Sequence, residues 1–108
     1  MMQFESNRLD ELVDGDEGLK TEFLNLYMAT FEKVITDCKT AFEKNDQKLW
    51  HDAIHELKGS SMNLGFNDMA NYCKNIEYYA GDPNEKVNFI AELEKNFVQL
   101  KDTFQNKN

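Results

Sequence analysis

The chain has two histidines in 108 residues, and His51 and His55 stand four apart. Lys58 and Gly59 follow directly, in the run His55-Glu56-Leu57-Lys58-Gly59. An imidazole is a nucleophile when uncharged, which an ordinary histidine mostly is near neutral pH. A lysine within one helical turn can bring its ammonium to an anion carried on that ring. Glycine inside a helix costs about 1 kcal/mol relative to alanine, so Gly59 calls for a use. Without a Cβ it leaves room beside the imidazole, for a bulky group on a ring nitrogen or for the close approach of another protein. Together these residues describe a site that carries a transient anion on a histidine. Singly, each has a plainer reading: His55 and Lys58 as solvated surface groups, Gly59 as a point of close helix packing.

A second chemistry is written in the same stretch. His51-Asp52-Ala53-Ile54-His55 is close to HExxH, with Asp in place of Glu. Two histidines at i and i+4 can bind a metal, but a catalytic zinc needs a third protein ligand. There is no third histidine, and no carboxylate stands at a recognisable ligand spacing. The Asp is also one carbon shorter than the general base of that motif. The sequence is therefore read as holding no metal site beyond incidental binding by the pair.

These residues need a helix to display them. At about 100° per residue, Ala53, Leu57, Ser60 and Leu64 fall on one side with Trp50 near them, which makes that side the core face. His55 lies opposite, with Lys48, His51, Asp52, Lys58, Gly59 and Met62 around it. Ser60 thus faces the core, and Ser60 and Ser61 are read as structural hydroxyls that bond back to the backbone. The remaining elements follow from apolar spacing and from caps. Leu9, Leu12 and Val13 form a short helix ending near Gly15. Asp16 caps a long helix to about Lys44, and Asn45-Asp46 turns into the site helix, Gln47 to Leu64. Asn67 caps a fourth helix to about Ala80. Asp82-Pro83-Asn84-Glu85 starts the last one, with an acidic cap, Pro at N1 and Glu at N3. Short connections between amphipathic helices predict an all-α fold: an antiparallel up-down-up-down four-helix bundle with a short extra N-terminal helix.

Composition narrows the partners. Twelve Lys and Arg against twenty Asp and Glu give a net charge of −8. That surface is a poor match for nucleic acid or for an anionic membrane. Lys48, Lys58 and the two histidines sit together on the one face where the acidic excess is relieved. No apolar run approaches the ~20 residues that span a bilayer, and no secretory signal or nucleotide-binding glycine loop is present. With 41% hydrophobic residues, residues 1–108 form one folded domain with a polar tail at about 105–108. Cys38 and Cys73 are lone thiols, read as core residues of a cytoplasmic protein. The opening Met1-Met2 and the polar tail point to a free-standing protein.

The run from His55 to Gly65 resembles the H-x-L-K-G-S-S-x-x-L-G signature of histidine-containing phosphotransfer (HPt) domains. Met69, Tyr72-Cys73, Ile76 and Glu77 resemble the helix that continues it, so the motif likeness covers roughly residues 49 to 80. Two positions depart from it: Ile54 and Phe66 stand where the family often has Ala, and both enlarge apolar surface near the site. The resemblance implies that His55 is the phosphoacceptor, with Nε2 as nucleophile, Lys58 stabilising charge and Gly59 giving clearance. It implies a carrier without kinase activity of its own. The partners would be the receiver domains of a hybrid sensor kinase and of a response regulator, with Mg²⁺ on the receiver and no cofactor or metal on this chain. His51, Ile54, Met62 and Phe66 are candidate docking residues, and a monomer is expected. The other reading is a helical module that binds a receiver without carrying phosphate.

Overall fold

Helix starts are set by short polar side chains. Ser6 Oγ accepts a hydrogen bond from the Leu9 amide and Asp16 Oδ1 one from the Leu19 amide, both at 2.9 Å. Asp46 Oδ1 accepts from the Leu49 amide at 3.0 Å, and Asp82 Oδ1 from the Asn84 amide at 2.9 Å. Each satisfies an amide that has no partner inside its own helix. The structure, a computed structural model, describes residues 4–105. It contains α1 (Asn7–Val13), α2 (Glu17–Lys44), α3 (Gln47–Asn63), α4 (Asn67–Ile76) and α5 (Pro83–Gln105). Among the described residues there is no strand, and no helix is long and apolar enough to cross a membrane. Of the expected polar tail, Gln105 closes α5; residues 106–108, like Met1-Met2, lie outside the described residues.

Two expectations about α4 are corrected. Phe66, not Asn67, occupies the cap position, without a side-chain hydrogen bond, and Asn67 is the first helical residue. The helix also ends at Ile76 rather than near Ala80. The Ile76 carbonyl accepts from the Trp50 indole Nε1–H at 2.9 Å and from the Tyr79 amide at 3.1 Å. The chain then leaves the helical path, and the Tyr79 carbonyl accepts from Gln47 Nε2 at 3.0 Å.

α2 packs against α3 and α5, and α3 packs in addition against α4. Phe31, Val34 and Cys38 of α2 meet Trp50, Ile54 and Leu57 of α3, Met69 and Cys73 of α4, and Leu93 and Leu100 of α5 in one core. Because α3 has neighbours on two sides, its buried arc is wider than the single stripe read from the wheel. Ile54 is fully buried, and so is Phe66, whose ring lies 5.5 Å from Phe4 and 5.0 Å from Tyr27. Neither presents a surface to a partner, which corrects their assignment as docking residues. The same widening exchanges the serines. Ser61 is the buried hydroxyl, 2.7 Å from the Tyr27 hydroxyl, while Ser60 is only half-buried. Cys38 and Cys73 are core residues, and burial pushes both thiols up to about 12.

The far end of α3 is clasped by the N-terminal segment. Ser6 Oγ donates to the Leu64 carbonyl, and Arg8 Nε donates to the Asn63 carbonyl at 2.9 Å. Gly65 turns the chain there at φ 76°, and a Cβ on it would lie 2.5 Å from Ser6 Oγ. Both the left-handed backbone and the close approach require glycine.

Candidate functional site

His55 lies at the centre of α3 with its side chain 61% exposed. Its Nδ1 is 3.1 Å from Glu77 Oε2. Glu77 is the residue at which α4 stops, and its side chain is only 3% exposed. Its other oxygen, Oε1, accepts from Lys58 Nζ at 2.5 Å. One buried carboxylate therefore holds both the imidazole and the ammonium. The early end of α4, pinned by Trp50 on the Ile76 carbonyl, sets where that carboxylate sits.

Burial pushes the Glu77 carboxyl up, but hydrogen bonds from Lys58 and then His55, together with the Lys58 charge, outweigh it and hold the group below its ordinary 4.5. Glu77 is thus an anion at neutral pH, and an ionised carboxylate only accepts. Nδ1 of His55 must carry the proton, so the neutral ring keeps its free electron pair on Nε2. No hydrogen bond to Nε2 forms among the described residues. The arrangement offers a fixed, outward nucleophile backed by a negative charge.

Around this centre the expected residues divide. Beyond its own stretch of helix, a Cβ on Gly59 would meet nothing within 4 Å among the described residues, so the position faces open space and close helix packing does not explain the glycine. His51 stacks on His55 with ring centroids 5.6 Å apart and interplanar angle 25°. Met62 is exposed at the surface. The local relief of acidic charge is smaller than expected, because Lys48 is bonded to Asp52 at 2.7 Å and Lys58 to Glu77. An open groove of about 230 Å³ lies between α2 and the end of α3, lined by Phe23, Leu26, Tyr27, Ser60 and Leu64.

Two contributors escaped the reading of the sequence as site residues. Tyr78 lies 4.7 Å from the His51 ring, and nothing in its spacing marks it. Glu77 did leave a signal. It follows Met69 and Cys73 at intervals of four, so it is an acid on the buried stripe of α4, where an unpaired charge would be costly.

A family profile described as the Hpt domain matches residues 22–105. The chain belongs to the Hpt domain family. No curated protein and no solved structure matches it. Hpt domains serve histidine phosphotransfer in phosphorelays, as phosphocarriers that meet receiver domains. The Hpt match begins within α2, leaving α1 before it, and reaches the last residue of α5.

Proposed function

We propose that His55 is the phosphoacceptor of a multistep phosphorelay. It receives a phosphoryl group from the aspartyl phosphate of a hybrid sensor kinase's receiver domain and donates it to the receiver of a response regulator. The observation that carries this reading is the 3.1 Å contact of Nδ1 with buried Glu77, on a ring that is otherwise exposed. In the first transfer Nε2 attacks phosphorus, the P–O bond to the receiver's aspartate breaks, and that aspartate leaves as carboxylate. The Nδ1 proton stays against Glu77, whose charge balances the positive charge that grows on the ring. The second transfer reverses these bonds. Positioning and charge stabilisation suffice for such a step, and the Mg²⁺ it uses belongs to the receiver.

Lys58 keeps Glu77 ionised and places positive charge within one turn of the phosphoryl group. Gly59 gives the receiver clearance. His51 and Met62 are the docking residues retained, and the groove beside Leu26 extends the apolar surface onto α2. The absence of a glycine-rich nucleotide loop supports a carrier without autonomous kinase activity. The two-residue turn at Asn45-Asp46 and the packing of α2 on α3 favour the up-down-up-down arrangement. A cytoplasmic monomer completes the proposal.

The test is incubation with a phosphorylated receiver or an active hybrid kinase, following acid-labile, base-stable phosphate. Label on the wild type that disappears in His55→Gln supports the carrier. A receiver that binds the protein yet transfers no label to it points instead to a phosphate-independent binding module.

A further inference from the structure

His51, His55 and Glu77 each offer one ligand atom, and the three atoms lie within 4.8 Å of one another. The sequence spacing supplies the two histidines; the fold brings the third donor from the end of α4. The nitrogen Nε2 of His51 is buried and has no hydrogen-bond partner among the described residues. It lies 3.8 Å from Glu77 Oε2, beyond hydrogen-bond range. The other nitrogen of that ring, Nδ1, is 3.3 Å from Asp52 Oδ1. With Nδ1–H donated to Asp52, the Nε2 electron pair faces the oxygen of an anion, with no proton between them. A cation placed there relieves that repulsion. A carboxylate holding the far nitrogen of an imidazole is also the usual support of a metal-bound histidine.

The spacing agrees. At Zn–N and Zn–O bonds of about 2.0–2.2 Å, two ligands of a tetrahedral ion stand roughly 3.3 Å apart. The pairs His55 Nδ1–Glu77 Oε2 at 3.1 Å and His51 Nε2–Glu77 Oε2 at 3.8 Å lie on either side of that value. Two imidazoles and one carboxylate suit zinc and its first-row neighbours rather than Mg²⁺ or Ca²⁺, which prefer oxygen ligands.

We infer that His51, His55 and Glu77 form a site for a zinc-class divalent ion, and that this ion and the phosphoryl group exclude each other on His55. The exclusion rests on His55 being the phosphoacceptor; the site does not. A neutral imidazole has one free electron pair. In the transfer-competent ring that pair is on Nε2 and the proton on Nδ1. Metal ligation uses the pair on Nδ1, so the proton passes through solvent to Nε2 and the nucleophile is lost. The ring neither gains nor loses a proton overall. Glu77 Oε2 turns from the ring to the ion, while Lys58 remains on Oε1. That ammonium opposes a second cation on the same carboxylate, which makes the site a reversible sensor rather than a permanent structural centre.

The experiment is calorimetric titration of the full chain with ZnCl₂, and separately with MgCl₂, read together with imidazole ¹H–¹⁵N spectra. The expected result is one bound zinc, no response to magnesium at the same concentration, and conversion of His55 from the Nδ1–H to the Nε2–H form. His51→Gln weakens zinc by roughly tenfold or more, and Lys58→Met tightens it. Zinc also slows phosphate labelling, and His51→Gln raises the half-inhibiting zinc concentration by the same factor, each protein being scaled to its own zinc-free rate. Zinc that binds His51→Gln as tightly as wild type, or binds neither, overturns the site. Full zinc occupancy with unchanged labelling overturns the exclusion. If no labelling occurs even without zinc, the phosphoacceptor reading and the exclusion fall together, and the calorimetric comparison still decides the site.

Discussion

Replacing Glu77 by Gln separates the charge behind His55 from the geometry that holds it. Gln keeps an acceptor oxygen for Nδ1–H but removes the negative charge 3.1 Å from the ring. A full charge at that distance is worth about 5 kcal/mol at an effective dielectric of about 20. In the transition state the Nε2–P bond is partly formed, so about half a charge has developed on the ring, and the stabilisation is about 2–3 kcal/mol. Water over the exposed side of the imidazole screens part of it, leaving about 1.5–2 kcal/mol, or about 10- to 30-fold in rate. The assay is the initial rate of labelling by phosphoramidate, a small P–N donor that needs no docking surface, with circular dichroism to verify the fold. A folded Glu77→Gln protein that labels within about twofold of wild type, under half a kcal/mol on the same scale, would refute a role for the Glu77 charge in the transfer.

Gly59→Ala fills open space, so it stabilises the helix by about 1 kcal/mol and raises Tm by about 4 °C in thermal melts. Gly59→Phe, in contrast, slows transfer from a receiver by on the order of tenfold or more while sparing phosphoramidate labelling, because it obstructs approach and not the nucleophile. Glu77 sits below its ordinary 4.5 in the folded protein, so its contribution to stability is present above that pH and is lost as pH falls through the lower folded value. Melts from about pH 5 to about pH 3 therefore show a steeper loss of Tm for wild type than for Glu77→Gln. With both thiols pushed up to about 12 by burial, Cys38 and Cys73 resist Ellman's reagent in the native state at mildly alkaline pH and react on unfolding.

What could be read from the sequence was local. The starts at Asp16, Asp46 and Asp82 depend on a side chain and an amide two or three residues away, so their spacing alone announces them. The grouping of His55, Lys58 and Gly59 on one face is likewise a property of one helix. Apart from the one-residue shift of the α4 cap, the misreadings involve a second element. Ile54 falls on the flank between the core face and the His55 face of an isolated wheel, and it is buried once α4 covers that flank of α3. The last turn expected of α4 is lost because Trp50, from α3, takes the Ile76 carbonyl. Glu77 lies 22 residues from His55, and only the packing of α4 on α3 turns an acid on an apolar stripe into the partner of a nucleophile.

The family match starts at residue 22, yet the chain before it is structural. Phe4 covers Phe66, Leu9 and Val13 are buried, and Ser6 and Arg8 occupy the last carbonyls of the helix that bears His55. Trimming the protein to the family's limits would strip donors from those carbonyls and uncover the ring of Phe66, about three helical turns along the chain from His55. The shortest fragment able to keep a native site therefore reaches further toward the N-terminus than the domain boundary its relatives define.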